Sequence, residues 1–177
     1  MNADDTLRSI QHTLQNVKRT EITEFQSVLG WLRARHARLF IIGNGGGAGF
    51  AMHAASDFRK IAGIDAYACD NIPELTARIN DDGWSYALAD WLRFAAQGDG
   101  LLVFSVGGGE ESGTSDNLVQ AVAEAKARQM KVLGIVGGAG GYLAEHADVV
   151  VKIPSTCTPV VEAAQAALWH AIVEAMR

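Results

Sequence analysis

Read for its apolar positions alone, the chain opens on two helical stripes. Leu7, Ile10, Leu14 and Val17 recur at three- and four-residue spacing, and Ile22, Phe25, Leu29 and Leu32 continue the period to about His36. Such spacing lines each set along one side of a helix. The pattern then changes. "ARLFIIG" from Ala37, "GLLVFSV" from Gly100, "KVLGIVG" from Lys131 and "ADVVVKI" from Ala147 are short and almost continuously apolar, as strands covered on both faces are. "DAYAC" from Asp65 predicts a weaker fifth strand. Helical stripes separate these runs, most clearly over 85–96, 116–129 and 159–176. Strand alternating with helix predicts an α/β fold. It is a three-layer αβα sandwich around a central five-stranded parallel sheet, with right-handed crossovers and preceded by N-terminal helices.

No repeat, low-complexity tract or long linker interrupts the 177 residues, which read as a single domain, 1–177, with the leading helices in 1–36. Such a sheet does not need the outermost helix to cover it. Its apolar stripe is open to two uses, packing on its own domain or against another subunit.

Composition narrows the partners. The chain is 49% hydrophobic and 20% charged, an ordinary balance for a soluble protein. A net charge of −5 argues against a nucleic-acid surface, which needs a basic stripe. Cys69 and Cys157 lack CxxC or metal-finger spacing and read as reduced thiols of a cytoplasmic protein. The polar start "MNADDTLRSIQ" has no signal-peptide character, and no stretch approaches the ~20 apolar residues of a membrane span. With 19 glycines against 3 prolines, the glycines are expected to gather in working loops.

Two of the predicted strands run into such loops. "GNGGGAG" starts at Gly43 and includes Asn44, Gly45, Gly46 and Gly47; "SVGGGEESGTSDN" starts at Ser105 and includes Gly107, Gly108, Ser112 and Ser115. Both lead into helices. Glycines let backbone N–H groups approach an anion, and a helix N-terminus adds free donors and a favourable dipole. Either turn alone is equally well a tight strand–helix connection, but two on neighbouring strands favour a phosphate cradle. Gly43, Gly45 and Ala48 also satisfy the relaxed GxGxxA form, with Asp70 as a candidate ribose partner. Two long helices before the first strand, and a second glycine turn that a dinucleotide does not use, speak against that reading. No Gly-Lys-Ser/Thr follows either turn, which excludes a Walker loop.

Candidate chemistry lies on the flanking helices. His53 and Asp57 are four apart, and Glu162 and His170 eight apart, so each pair shares a helix face. An internal ion pair, a divalent ion such as zinc, and proton transfer are all open to these groups. On one regular helix, eight residues rise ~12 Å, so Glu162 and His170 meet one ion only if the helix starts irregularly or two subunits contribute. His12, His36 and His146 lie in polar surroundings and read as surface residues.

Taken together, "GNGGG…MHAASDF", "NDDGW", "SVGGG…NLVQA", "GIVGGAGG" and "TPVVEAAQAALWH" resemble the SIS (sugar isomerase) domain, most nearly its sedoheptulose-7-phosphate (phosphoheptose) isomerases. The resemblance spans almost the whole chain. It implies conversion of sedoheptulose 7-phosphate to D-glycero-D-manno-heptose 7-phosphate through an ene-diol, for heptose biosynthesis. It also implies a homotetramer with active sites at subunit interfaces. The implied base is Asp57 and the implied acid His170. Asn44 to Gly47, Asp81 beside Asn80, Ser105, Gly107, Gly108, Ser112, Ser115 and Glu162 fall at substrate-binding positions. His53, Asp57, Glu162 and His170 fall where some members bind zinc. The chain departs from the pattern: Gly47 replaces a serine, Asp57 a glutamate and Glu162 a glutamine, and the second turn carries Glu110 and Glu111. Arg59 and Lys60 are further candidate phosphate partners or plain helix-end cations. Two other readings remain open, a non-catalytic sugar-phosphate sensor or partner-binding tetramer, and an isomerase of another sugar phosphate.

Overall fold

A computed structural model describes residues 2–177. Two helices lead, α1 (Ala3–Gln15) and α2 (Arg19–Ala34); β1 (Arg38–Gly43), α3 (Gly46–Lys60), β2 (Asp65–Ala68), α4 (Ile72–Asp82) and α5 (Ala87–Trp91) follow. After a 3₁₀ turn at Leu92–Phe94 come β3 (Gly100–Ser105), α6 (Asp116–Ala127), β4 (Lys131–Gly137), α7 (Gly141–His146), β5 (Val149–Ile153) and α8 (Thr158–Glu174). The five strands form one sheet in the order β2-β1-β3-β4-β5. Every neighbouring pair is parallel. This is the αβα sandwich expected from the alternation of apolar runs.

Side chains on successive strand residues point to opposite faces, and the core divides accordingly. Leu39, Ile41, Leu102 and Phe104 face one apolar layer with Phe25 and Leu29 of α2, Ala54 and Phe58 of α3, and Leu168 and Trp169 of α8. Phe40, Ile42, Leu101 and Val103 face the other, with Trp91 of α5, Leu118 and Val122 of α6, and Leu143 of α7. Burial on both sides explains why these strands read as unbroken apolar runs.

Three local outcomes differ from the sequence pattern. The stripe over 85–96 resolves into the short α5 and a 3₁₀ turn. Helices α4 and α7 lie where no stripe was singled out; α4 starts at an Asn71 side-chain cap, and none of its residues is fully buried. The outermost helix packs on its own chain, lying along α8. Leu14 joins the core layer beneath it, while Leu7 stays 64% exposed. Asn2 starts that helix as a reciprocal cap, its Oδ1 accepting the Asp5 N–H at 2.9 Å.

Candidate functional site

The parallel sheet brings both glycine turns to its carboxyl edge, where open α/β sheets bind ligands. β1 and β3 are neighbours, so the turns after them stand side by side. In the first, the Gly47 N–H donates to the Asn44 carbonyl at 2.9 Å and the Ala48 N–H to the Gly45 carbonyl at 3.1 Å. Gly45 has φ +55° and offers α3 no side-chain cap. The nearest anion to that helix end is Glu162 of α8. A Cβ on Gly46 would stand 2.8 Å from Glu162 Oε1 and 3.1 Å from Oε2. The carboxylate thus lies against the first residue of α3, where the helix dipole favours negative charge.

The second turn is folded onto itself. Ser105 Oγ accepts the Gly108 N–H at 3.0 Å, and Gly108 also accepts the Leu143 N–H at 3.1 Å. Gly108 has φ +83°, and a Cβ there would stand 1.7 Å from the Gly140 carbonyl oxygen, so only glycine permits this crossing. The Gly108 N–H and its carbonyl are therefore both spent within the protein. Ser112 and Ser115 both take left-handed backbone, at φ 56° and 60°; neither hydroxyl caps α6. Asp116 accepts the Ser112 N–H at 3.1 Å. The Ser85 hydroxyl, that N–H and the Gln120 amide hold its carboxyl below the usual range. Glu110 and Glu111 line a cleft with Gly107, Gly138 and Tyr142. Both are exposed at the same edge.

The ionisable groups are split between two places. His53, Asp57 and His170 each offer a ligand atom, and these atoms lie within 4.8 Å of one another. Asp57 Oδ2 is 3.7 Å from His53 Nε2 and 4.0 Å from His170 Nε2. These separations exceed direct hydrogen bonds and leave room for a third atom between the groups. His170 Nδ1 lies 2.7 Å from the Ala166 carbonyl and donates to it, which leaves the Nε2 lone pair for the cluster. Trp169 underlies both imidazoles, its ring centroid 4.9 Å from His53 and 3.4 Å from His170. Glu162 does not join them within the chain: α8 is regular across both positions, so the expected ~12 Å of rise keeps Glu162 at the first glycine turn. Two imidazole nitrogens and one carboxylate suit zinc, three protein ligands with a position left open being its usual catalytic arrangement.

Other expected residues lie apart. Asn80 donates to Asp81 at 2.8 Å, and both are exposed near the end of α4. Arg59 turns back to the Ala66 carbonyl rather than toward the turns. Two residues not singled out beforehand organise the edge. Asn117 and Asn44 exchange amide hydrogen bonds at 2.9 Å in each direction. Gln165, buried under α8, donates to the Ser105 carbonyl at 3.0 Å and the Ile135 carbonyl at 2.8 Å. An amide amid the apolar run "VVEAAQAALWH" is the sequence signal for the second.

No family model matches the chain. The phosphoheptose isomerase of Histophilus somni (strain 2336) is 30% identical over 158 residues, which covers 86% of this chain and 77% of that protein. The chain belongs to the phosphoheptose isomerase family. The fold agrees with it: the solved phosphoheptose isomerase of Francisella tularensis superposes with a TM-score of 0.87 at 22% identity, over 98% of this chain and 92% of that one. The Vibrio vulnificus NanR protein, solved with ManNAc-6P, has a TM-score of 0.69 at 16% identity, over 98% of this chain and 60% of that one. The fold thus extends beyond phosphoheptose isomerases, and family membership rests on the sequence relationship.

Proposed function

We propose that the chain interconverts sedoheptulose 7-phosphate and D-glycero-D-manno-heptose 7-phosphate. One observation carries the chemistry: a carboxylate from α3 and an imidazole from α8 stand 4.0 Å apart, so both reach neighbouring atoms of one substrate lying alongside them. Aldose–ketose isomerisation needs that pair. Asp57 takes a proton from C1 of the ketose while His170, starting as the imidazolium with a proton on Nε2 as well as Nδ1, passes one to the C2 oxygen, giving an ene-diol. His170 then accepts the proton of the C1 hydroxyl as C1 becomes the aldehyde, and Asp57 returns its proton to C2. No atom is gained or lost. His53, Asp57 and His170 would hold a zinc ion, which would supply positive charge for developing oxyanions; a carboxylate and imidazole engaged by the ion are poorer proton carriers, so the two roles compete for the same atoms. Asn44, Gly45 and Gly46 offer donors to the substrate, the buried Gly47 N–H being already spent on the Asn44 carbonyl, and Glu162 beside them accepts hydroxyl protons.

The same reading includes a homotetramer. The side chains of His53 and His170 are 60% and 50% exposed, and proton transfer to a carbon works best with water excluded. A second copy across this face supplies that cover. Free cysteines support a reducing, cytoplasmic setting, and no helix among the described residues is long and apolar enough to cross a membrane.

The test is incubation of the purified chain with sedoheptulose 7-phosphate, with and without added zinc, followed by NMR. The aldose phosphate is expected; its absence under both conditions would overturn the reading. Light scattering is expected to give four copies, and an active monomer would remove the shared site from it.

A further inference from the structure

We propose that Asn117 is a positioning residue for substrate binding, acting through Asn44. This rests on the isomerase reading and adds to it a residue outside the ionisable cluster.

Asn44 is the first residue past β1, and Asn117 lies in the first turn of α6, which follows the second glycine turn. Their amides bond reciprocally, Nδ2 to Oδ1 at 2.9 Å both ways. Each side chain must donate and accept at once, which a carboxylate or an apolar group cannot reproduce. The two partners differ in access. Both border the cavity they share with Gly45, Ala48, Cys69 and Trp84, but Asn117 is only 1% exposed, whereas Asn44 is half-buried.

An amide has two N–H groups and two acceptor lone pairs. With one of each spent on Asn117, Asn44 retains one donor and one acceptor. Their directions are fixed by the buried partner. The pair also ties the turn after β1 to the start of α6, so the two turns keep one spacing whether or not a ligand is present. A group held in place in this way binds without an ordering cost at the moment of contact. His53 and Asp57 begin two helical turns further along α3, so the expected effect is on binding rather than on the proton-transfer step.

The experiment is a double-mutant cycle of Asn44→Ala, Asn117→Ala and the double variant, read as KM and kcat for sedoheptulose 7-phosphate. The same cycle is read as Kd by calorimetry, which needs no turnover. Asn117→Ala is expected to raise KM and Kd about tenfold with kcat within about twofold, the pattern of lost uniform binding. The double variant is expected to match Asn44→Ala, because Asn117 has nothing left to position. Additive effects, or a fall in kcat that tracks melting temperature while KM stays put, would overturn the proposal. Asn117→Ser repeats the cycle if the alanine variant does not fold. A wild-type chain that binds the sugar phosphate without converting it would count against the isomerase reading alone.

Discussion

Asp57 and His170 belong to different helices, yet Oδ2 of one lies 4.0 Å from Nε2 of the other. The His53 imidazole stands 3.7 Å from the same oxygen. Asp57→Asn and His170→Ala should each lower kcat by about 10²–10⁴-fold, with melting temperatures near that of the parent. NMR progress curves on sedoheptulose 7-phosphate check this, and an active Asp57→Asn variant would remove the base from the scheme.

Metal binding should divide the four family positions into three and one. In competition with a chromophoric zinc chelator, Asp57→Asn and His170→Ala are expected to weaken zinc binding by about tenfold or more. Glu162→Gln should leave it within about twofold, since that carboxylate lies against Gly46 instead. Equal losses for all three variants would mean that Glu162 reaches the ion in the assembled protein.

Away from the site, Asp99 anchors the amino end of the sheet. It is 5% exposed, and it accepts from the Arg38 backbone at 2.9 Å, from the Arg38 guanidinium at 2.7 Å and from the Ala96 N–H at 2.8 Å. Asp99→Ala leaves the Arg38 and Ala96 backbone N–H groups without that acceptor and the Arg38 guanidinium with only the Phe94 carbonyl, and should cost about 3 kcal/mol. Urea unfolding reads the loss directly.

Cys69 offers a pH test. Burial, with the charge of Glu74 beside it, pushes its thiol up to about 11 from a free value near 9.0. Iodoacetamide should label it slowly at pH 8, with the rate rising steeply only above about pH 10. The sign for stability follows from the same shift. The folded chain keeps the proton after the unfolded chain has lost it, so this residue's contribution falls as pH climbs from about 9 toward 11. Mass spectrometry of labelled peptides, with Cys69→Ala as the control in the melts, checks both.

The layers and strands were legible because burial on both faces leaves an unmistakable apolar run. α4 was less so, since its short stripe of Ile72, Leu75 and Ile79 buries no residue fully; nor was the short α7 legible, at six residues. Among candidate site residues, His53, Asp57 and His170 were visible from helical spacing, and the structure brings their ligand atoms together. Separating Glu162 from them required knowing that α8 stays regular through both positions. Asn117 was hidden for a different reason: a lone asparagine at a helix start reads as solvent-facing, and its bond to a residue 73 positions earlier exists only once β1 and β3 are neighbours.

Gln165 fixes more than the seat of α8. Its two bonds reach the carbonyls of Ser105 and Ile135, on adjacent strands. Glu162 lies three residues before that anchor and His170 five after it, so both are phased from one pin. A residue inserted between Gln165 and His170 would swing the imidazole about 100° around the helix and away from Asp57. The same insertion at 154–157, ahead of the helix, would leave that phase untouched. Change in chain length is therefore tolerable at the approach to α8 and ruinous within it.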